Sequence, residues 1–427
     1  MPRRLAAPSI RADRAVRRLV IVVAMILAAA MSACSSSSQN DILWTFGDES
    51  NPVVGDPVQA ADGTIYVVVA HYPSPITAPQ RDLVALDRGG RALWTLPLSN
   101  DYGDTPSITP AGDIWLYSPG RVVRVSPSGR ILADARVDIG NGSVGSVGAD
   151  GTLYVASEGP PPLTHSLFAI EPDGRVRWVK LVEAVTEDEF GCRPRRPAVG
   201  LDGAVYSYCD GDPAPWAPID ATMSPCSAVH GGGIARFDPA TGEAALLLSV
   251  STRYSCFTDG SIDGAGRVMQ YRGFSLIVAD PNGPGSVFEY TDQSFLGLIA
   301  TDGPVWVTGR PTTSGVKILW GQTPVDLTPL NLDQPYPVAL AEPDLLLIEY
   351  YDEKAQSSVG LIDRQGRLVW SANRILRLAL VADGFLLGRR LYASDQLTAV
   401  RAPIRGLAKA PWPIRGHDSQ NSGRASP

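Results

Sequence analysis

One twelve-residue pattern recurs along this chain and constrains its fold more than any other feature. Leu83-Val84-Ala85-Leu86-Asp87-Arg88-Gly89-Gly90-Arg91-Ala92-Leu93-Trp94 returns as Leu167-Phe168-Ala169-Ile170-Glu171-Pro172-Asp173-Gly174-Arg175-Val176-Arg177-Trp178, and again from Val359 to Trp370. Self-similarity at a fixed period marks an architecture of repeated units, none of which buries its apolar face alone. The pattern reads as strand, D-x-x-G turn, strand. The Asp bonds its own backbone there, and Gly takes the left-handed position. A second pattern precedes it in each unit, as in Pro57-Val58-Gln59-Ala60-Ala61-Asp62-Gly63-Thr64-Ile65-Tyr66-Val67. Asp-Gly between alternating apolar segments signals a hairpin, because Gly accepts positive φ.

Each unit therefore supplies four short antiparallel strands. The turn of the first hairpin falls at Asp62, Ala111, Asp150, Asp202, Gly264, Asp302, Glu342 and Asp383. The spacing averages about 46 residues, within the range of propeller blades. An all-β fold is expected: a single eight-bladed β-propeller of four-stranded antiparallel blades. Units five to seven are degenerate, with Asp280-Pro281-Asn282-Gly283-Pro284-Gly285 in place of D-x-x-G, and seven blades remain an alternative. The last unit has strands near Leu380–Arg390 and Gln396–Ala402 but meets Pro403 before a fourth. Ile42-Leu43-Trp44-Thr45-Phe46 supplies the missing strand, so an N-terminal strand is expected to close the ring and remove a sheet edge. The 42 Gly and 36 Pro fit a chain of many short strands and turns.

The N-terminus reads as a targeting segment. Arg3, Arg4, Arg11, Arg14, Arg17 and Arg18 precede an apolar run from Leu19 to Ala30 that is too short to span about 30 Å of hydrocarbon comfortably. Met31-Ser32-Ala33-Cys34 and a Ser-rich stretch follow. The organisation expected is a lipoprotein signal peptide over 1–33, a tether over 34–41, the propeller over 42–402 and a flexible C-terminal tail over 403–427. Removing six Arg and Asp13 with residues 1–33 takes the formal charge from −7 to −12. A chain that acidic, without a Lys/Arg stripe, argues against nucleic acid as a partner.

Four cysteines remain after Cys34, namely Cys192, Cys209, Cys226 and Cys256. An even number in an exported protein reads as two disulfides. A zinc site is the rival, without CxxC or His spacing to support it.

The repeats resemble those of pyrroloquinoline-quinone-type (PQQ-like) β-propellers across roughly 42–402. Met31-Ser32-Ala33-Cys34 resembles a bacterial lipobox with Met where Leu is usual, which implies cleavage before Cys34 and lipidation of its thiol. An ordinary signal peptide cut nearby and an uncleaved anchor are the alternatives. Pro411-Trp412-Pro413-Ile414-Arg415-Gly416-His417-Asp418-Ser419-Gln420-Asn421-Ser422-Gly423 resembles a segment that often flanks such propellers. Together these features are similar to the lipid-anchored propellers of outer-membrane β-barrel assembly. That similarity implies a monomeric ring at the bacterial cell envelope, on the periplasmic face of the outer membrane or the outer face of the plasma membrane, with a protein partner.

Catalytic chemistry has little support in the residues. The Cys-Cys pair of the quinone enzymes is missing, and their Thr-Gly docking element survives only as Thr241-Gly242. PQQ is therefore not expected, and neither cofactor nor resident metal is assigned. Trp94, Trp178 and Trp370 are placed at the end of the fourth strand, as core between blades. His71, His165, His230 and His417 lack metal-binding spacing, and no G-x-S-x-G elbow is present. Gly140–Gly148 lacks the Lys-Ser/Thr of a phosphate loop. Glu187-Asp188-Glu189 and Asp210 with Asp212 leave Ca²⁺ open beside the more ordinary reading as solvated loops.

Topology sorts the remaining residues. Turns within the first and second hairpins share one face of a propeller, and the other connections share the opposite face. The short Asp-Gly and D-x-x-G turns fall on the first. The long connections 70–81, 157–165, 209–233, 99–105, 183–196 and 251–258 fall on the second, with all four cysteines. Cys209–Cys226 and Cys192–Cys256 are the expected pairs among three pairings. The same face gathers Arg193, Arg195, Arg196, Trp216, His230, Arg253 and Tyr254, and aromatic and Arg residues are the usual interface anchors. A non-catalytic protein-binding scaffold is the function expected. The alternative is a propeller enzyme or binder of a small molecule or glycan that uses the central funnel (a quinoprotein, lyase or hydrolase), and an extracytoplasmic sensor or adhesin is a third reading.

Overall fold

The computed structural model describes residues 42–410 apart from 73–79, 99–104, 141–143, 159–164, 184–195, 211–231, 251–259, 273–274, 290–292, 309–316, 322, 331, 352–356, 374–375 and 390–395. Within them the chain forms seven four-stranded sheets and one three-stranded sheet, all antiparallel neighbours in sequence order except at the last. These are the eight blades of a β-propeller.

Blade one is Val53–Gln59, Ile65–His71, Gln80–Leu86 and Ala92–Leu98; blade two is Ser107–Ile108, Ile114–Ser118, Arg121–Val125 and Ile131–Arg136. Blade three is Val144–Val147, Leu153–Glu158, His165–Ile170 and Val176–Glu183; blade four is Ala198–Val199, Val205–Asp210, Gly232–Phe237 and Ala244–Val250. Blade five is Ser261–Ile262, Val268–Arg272, Ser275–Ala279 and Ser286–Glu289; blade six is Gln293–Ala300, Gly303–Thr308, Lys317–Trp320 and Thr323–Asp326. Blade seven is Asp333–Ala341, Leu345–Tyr351, Ser357–Ile362 and Leu368–Asn373. Blade eight joins Leu376–Arg389, which runs through the turn position Asp383-Gly384, to Leu397–Arg405 and then to Ile42–Phe46. The degenerate turns of units five to seven still make blades, so the ring has eight.

The closing strand is the N-terminal one. Phe46 pairs with Leu397, Thr45 with Thr398 and Ile42 with Val400. Packing closes the ring at the same place. Val53, Ile65, Val67 and Leu86 of blade one form one buried cluster with Phe385, Leu387, Leu397 and Ala399 of blade eight, and Trp44 and Phe46 pack against it. Equivalent apolar layers lie between blades one and two, three and four and seven and eight. Each fully buried Val, Leu or Ile contributes roughly 1.5–3 kcal/mol. The alternation of the strands directs one set of side chains toward each neighbouring blade, while outer strands such as Ala92–Leu98 keep an exposed row.

The C-terminal side of the ring differs from the sequence reading. Residues 403–405 belong to the last strand instead of a flexible tail. The chain then crosses to blade seven, where Gly406 accepts from the Glu342 amide at 2.9 Å and the Ala408 amide donates to Leu340 at 2.9 Å. Ala341 is already paired with Leu345 on one edge and meets Leu407 on the other. Residues 411–427, with the Pro-Trp-Pro segment, lie outside the described residues, as do 1–41 with Cys34.

Candidate binding faces

The turn face is tied together by its own side chains. In these turns the Asp side chain holds the backbone: Asp87 accepts from the amides of Gly89 at 2.9 Å and Arg91 at 3.0 Å, and Asp238, in a turn one residue longer, accepts from those of Ala240 and Thr241. The Arg91 amide, ahead of the other contacts, holds the Asp87 carboxyl below its ordinary value, and the Thr241 amide does the same for Asp238. These recurrent carboxylates are turn-formers, as their sequence positions suggested.

The tryptophans join each turn to the preceding blade. Trp44 Nε1 donates to Arg88 O at 2.9 Å, Trp94 to Pro127 O at 2.9 Å and Trp178 to Pro239 O at 3.1 Å. In each case the fourth strand of one blade reaches the second turn of the next. The indole lies flat on the Gly that ends the turn: a Cβ on Gly242 would stand 2.7 Å from Trp178, and one on Gly129 3.0 Å from Trp94. These residues sit near the start of the fourth strand instead of its end, since Ala92–Leu98 continues past Trp94. Trp370 packs on the layer of Leu361, Ala372 and Val400. Blade eight offers it no second turn, because its third and fourth strands come from opposite ends of the ring.

Arginines make a second set of ties. Arg177 reaches Asp150 at 3.2 Å, Glu171 at 3.3 Å and Pro239 O at 3.0 Å. Arg364 binds Asp302 at 2.9 Å and Asp344 at 3.1 Å, and its guanidinium lies 4.5 Å from the centre of the Trp320 ring. Arg88 stands farther from Asp383, at 3.9 Å. There a cleft of about 270 Å³ opens between blades eight and one, lined by Gln59, Asp62, Arg88, Asp383, Gly406 and Leu407. Burial, then the Asp62 charge, pushes the Tyr66 hydroxyl up to about 12, and burial with Asp150 does the same for Tyr154.

The sequence assigns the other site residues to the loop face. Of those the sequence singled out, Arg196 is described: it is partly buried and directly precedes Pro197, whose carbonyl accepts from Ser146 Oγ at 2.6 Å. Arg193, Arg195, Trp216, His230, Arg253 and Tyr254 lie outside the described residues, as do Cys192, Cys226 and Cys256. Cys209 is placed in the second strand of blade four, opposite Gly233. Glu187, Asp188, Glu189 and Asp212 also fall outside. Among the described residues, no group of three His, Cys, Asp or Glu side chains is arranged to hold a metal ion.

Three residues that the site assignment missed stand at the loop-face ends of blades one and seven. Tyr72, Tyr336 and Tyr351 are 53%, 51% and 41% exposed. Beside Tyr72, His71 meets the Asn51 side-chain oxygen through Nδ1 and Asp82 Oδ2 at 2.8 Å through Nε2. It thereby ties the turn that follows the closing strand to blade one. Tyr336 and Tyr351 belong to the first two strands of blade seven, where an exposed tyrosine reads from sequence as an ordinary strand residue.

No family model and no curated protein matches the chain. Solved propellers resemble it in outline. BamB from Moraxella catarrhalis is 14% identical, with 82% of this chain and 83% of that chain covered and a TM-score of 0.38. The Dos1 propeller is 10% identical over 84% and 94% of the two chains, with a TM-score of 0.49. The WD40 domain of SCAP from fission yeast is 10% identical over 86% and 97%, with a TM-score of 0.47. The propeller assignment rests on the strand pairing itself. No helix among the described residues is long and apolar enough to cross a membrane.

Proposed function

We propose that this chain is a lipid-anchored, extracytoplasmic β-propeller that binds a protein partner through its loop face and performs no catalysis itself. The observation that carries the proposal is the division of labour between the two faces. Turn-face carboxylates, indoles and guanidinia are engaged in holding blades together. Tyr72, Tyr336 and Tyr351 stand exposed at the opposite face, and Tyr is among the side chains that anchor protein interfaces. The lipobox-like Met31–Cys34 supports the anchor, and with the repeat it supports a role in envelope assembly similar to that of BamB.

Gentle crosslinking in intact cells, followed by purification from membranes, tests the scaffold. A discrete protein partner that is lost when Tyr72, Tyr336 and Tyr351 are changed to Ala supports it; recovery of the propeller alone contradicts it. Cys34→Ala tests the anchor separately: the protein should leave the membrane fraction, and continued membrane association contradicts lipidation at Cys34.

A further inference from the structure

We infer that the turn face is the side of the propeller held toward the bilayer, so that the loop face is presented away from it; this rests on the anchor reading of Cys34. The inference comes from the direction of the closing strand. Leu397–Arg405 starts from a loop-face connection and ends at the turn face, where Arg405 donates to Glu342 O at 3.0 Å in the first turn of blade seven. Ile42–Phe46 runs antiparallel to it, with Phe46 opposite Leu397 and Ile42 opposite Val400. Ile42 is therefore at the turn-face end of the outer strand, and Phe46 at the loop-face end. A chain anchored at Cys34 joins the propeller from the turn side.

Chain length decides how strongly this orients the ring. From Cys34 to Ile42 the backbone spans at most about 28 Å when fully extended. Ile42–Phe46 covers about 17 Å from face to face. To lay the loop face on the bilayer, the tether would have to double back along the whole strand, leaving roughly 11 Å at full stretch. With the turn face toward the bilayer, the whole tether is available.

The chemistry of the turn face agrees with a surface held near lipid without adsorbing to it. Asp62, Asp150, Asp202, Asp302, Asp344 and Asp383 stand on its first turns. Arg177, Arg236 and Arg364 are held by three of them, at 3.2, 2.9 and 2.9 Å. Adsorption to anionic headgroups needs clustered free Lys/Arg, whereas these guanidinia are spent on carboxylates. The tether sets the distance to the bilayer, and Tyr72, Tyr336 and Tyr351 stand at the far face.

The test compares two ends of one strand. Ala111 and Pro119 are both exposed and flank Ile114–Ser118 of blade two, at the turn face and loop face respectively. The full-length lipidated chain carries a dye on an azide-bearing residue at position 111 or 119, on phosphatidylcholine vesicles that contain acceptor-labelled lipid. Energy transfer to the bilayer should be about twofold greater from 111 than from 119, reflecting a separation of one strand length. Equal transfer, or more from 119, in protein that co-sediments with the vesicles overturns the orientation and leaves the anchor intact. Failure of the lipidated chain to co-sediment overturns both.

Discussion

Trp44 Nε1 donates to the carbonyl oxygen of Arg88 at 2.9 Å, although the two residues belong to different blades and 44 positions separate them. The bond crosses the seam where the ring closes. It repeats the contact that Trp94 and Trp178 make at ordinary blade junctions. The seam is therefore built as a blade interface.

Removing that contact should weaken the whole ring. Trp44→Ala gives up a partly buried indole against Phe385 and the Arg88 bond, at a cost of about 2–4 kcal/mol. Trp44→Phe keeps the ring contact and should cost about 1 kcal/mol. Urea unfolding of both variants measures this; unchanged midpoints would mean that the seam carries no stability.

Two glycines with the same backbone conformation separate strain from collision. Gly90 and Gly120 have φ of +77° and +78°, but a Cβ on Gly90 would enter the Trp44 ring while one on Gly120 meets open space. Gly120→Ala should cost only the left-handed penalty of about 1–2 kcal/mol. Gly90→Ala should cost clearly more and reduce the protection of residues 42–46 from hydrogen exchange.

Arg364 joins two blades through a planar fork and a stacked ring, geometry that an ammonium does not reproduce. Arg364→Lys should lower stability by about 1–2 kcal/mol, read as a shift in thermal midpoint. A Lys variant equal to the parent would show that the Asp302 and Asp344 contacts are surface decoration.

Acid should loosen the turns. Asp87, Asp173, Asp238 and Asp326 are all held below their ordinary value, by amides of Arg91, Arg175 and Thr241 for the first three and by the Thr328 hydroxyl, then its amide, for Asp326. A carboxyl lowered in the folded state contributes stability that is present above its unfolded value, about pH 4, and lost as pH falls through its folded value. The thermal midpoint should be level near neutrality and fall below about pH 4. Asp87→Asn should make that acid-side fall shallower.

The blade count and the closing strand were legible because both rest on local signals: Asp-Gly turns, D-x-x-G turns and alternation. The partner of each indole was not. Pro127 and Pro239 lie 33 and 61 positions from Trp94 and Trp178, and their pairing follows from how blades stack. Arg364 over Trp320 was hidden for the same reason, since the two residues stand in neighbouring blades 44 positions apart. The course of 406–410 was missed because Gly406-Leu407-Ala408 has no strand alternation of its own and borrows the edge at Ala341. Tyr72 falls in a connection that the topology already assigned to the loop face, whereas Tyr336 and Tyr351 were located there only once the strands of blade seven were paired.

Hydrogen exchange of the backbone amides in 42–46 and 397–400 tests the closed ring most directly. The account predicts that both segments exchange slowly and together, at the pace of the inner strands of blade one. Rapid, loop-like exchange of 42–46 beside a protected 397–400 would contradict closure by the N-terminal strand, and with it the separation into a turn face and a loop face.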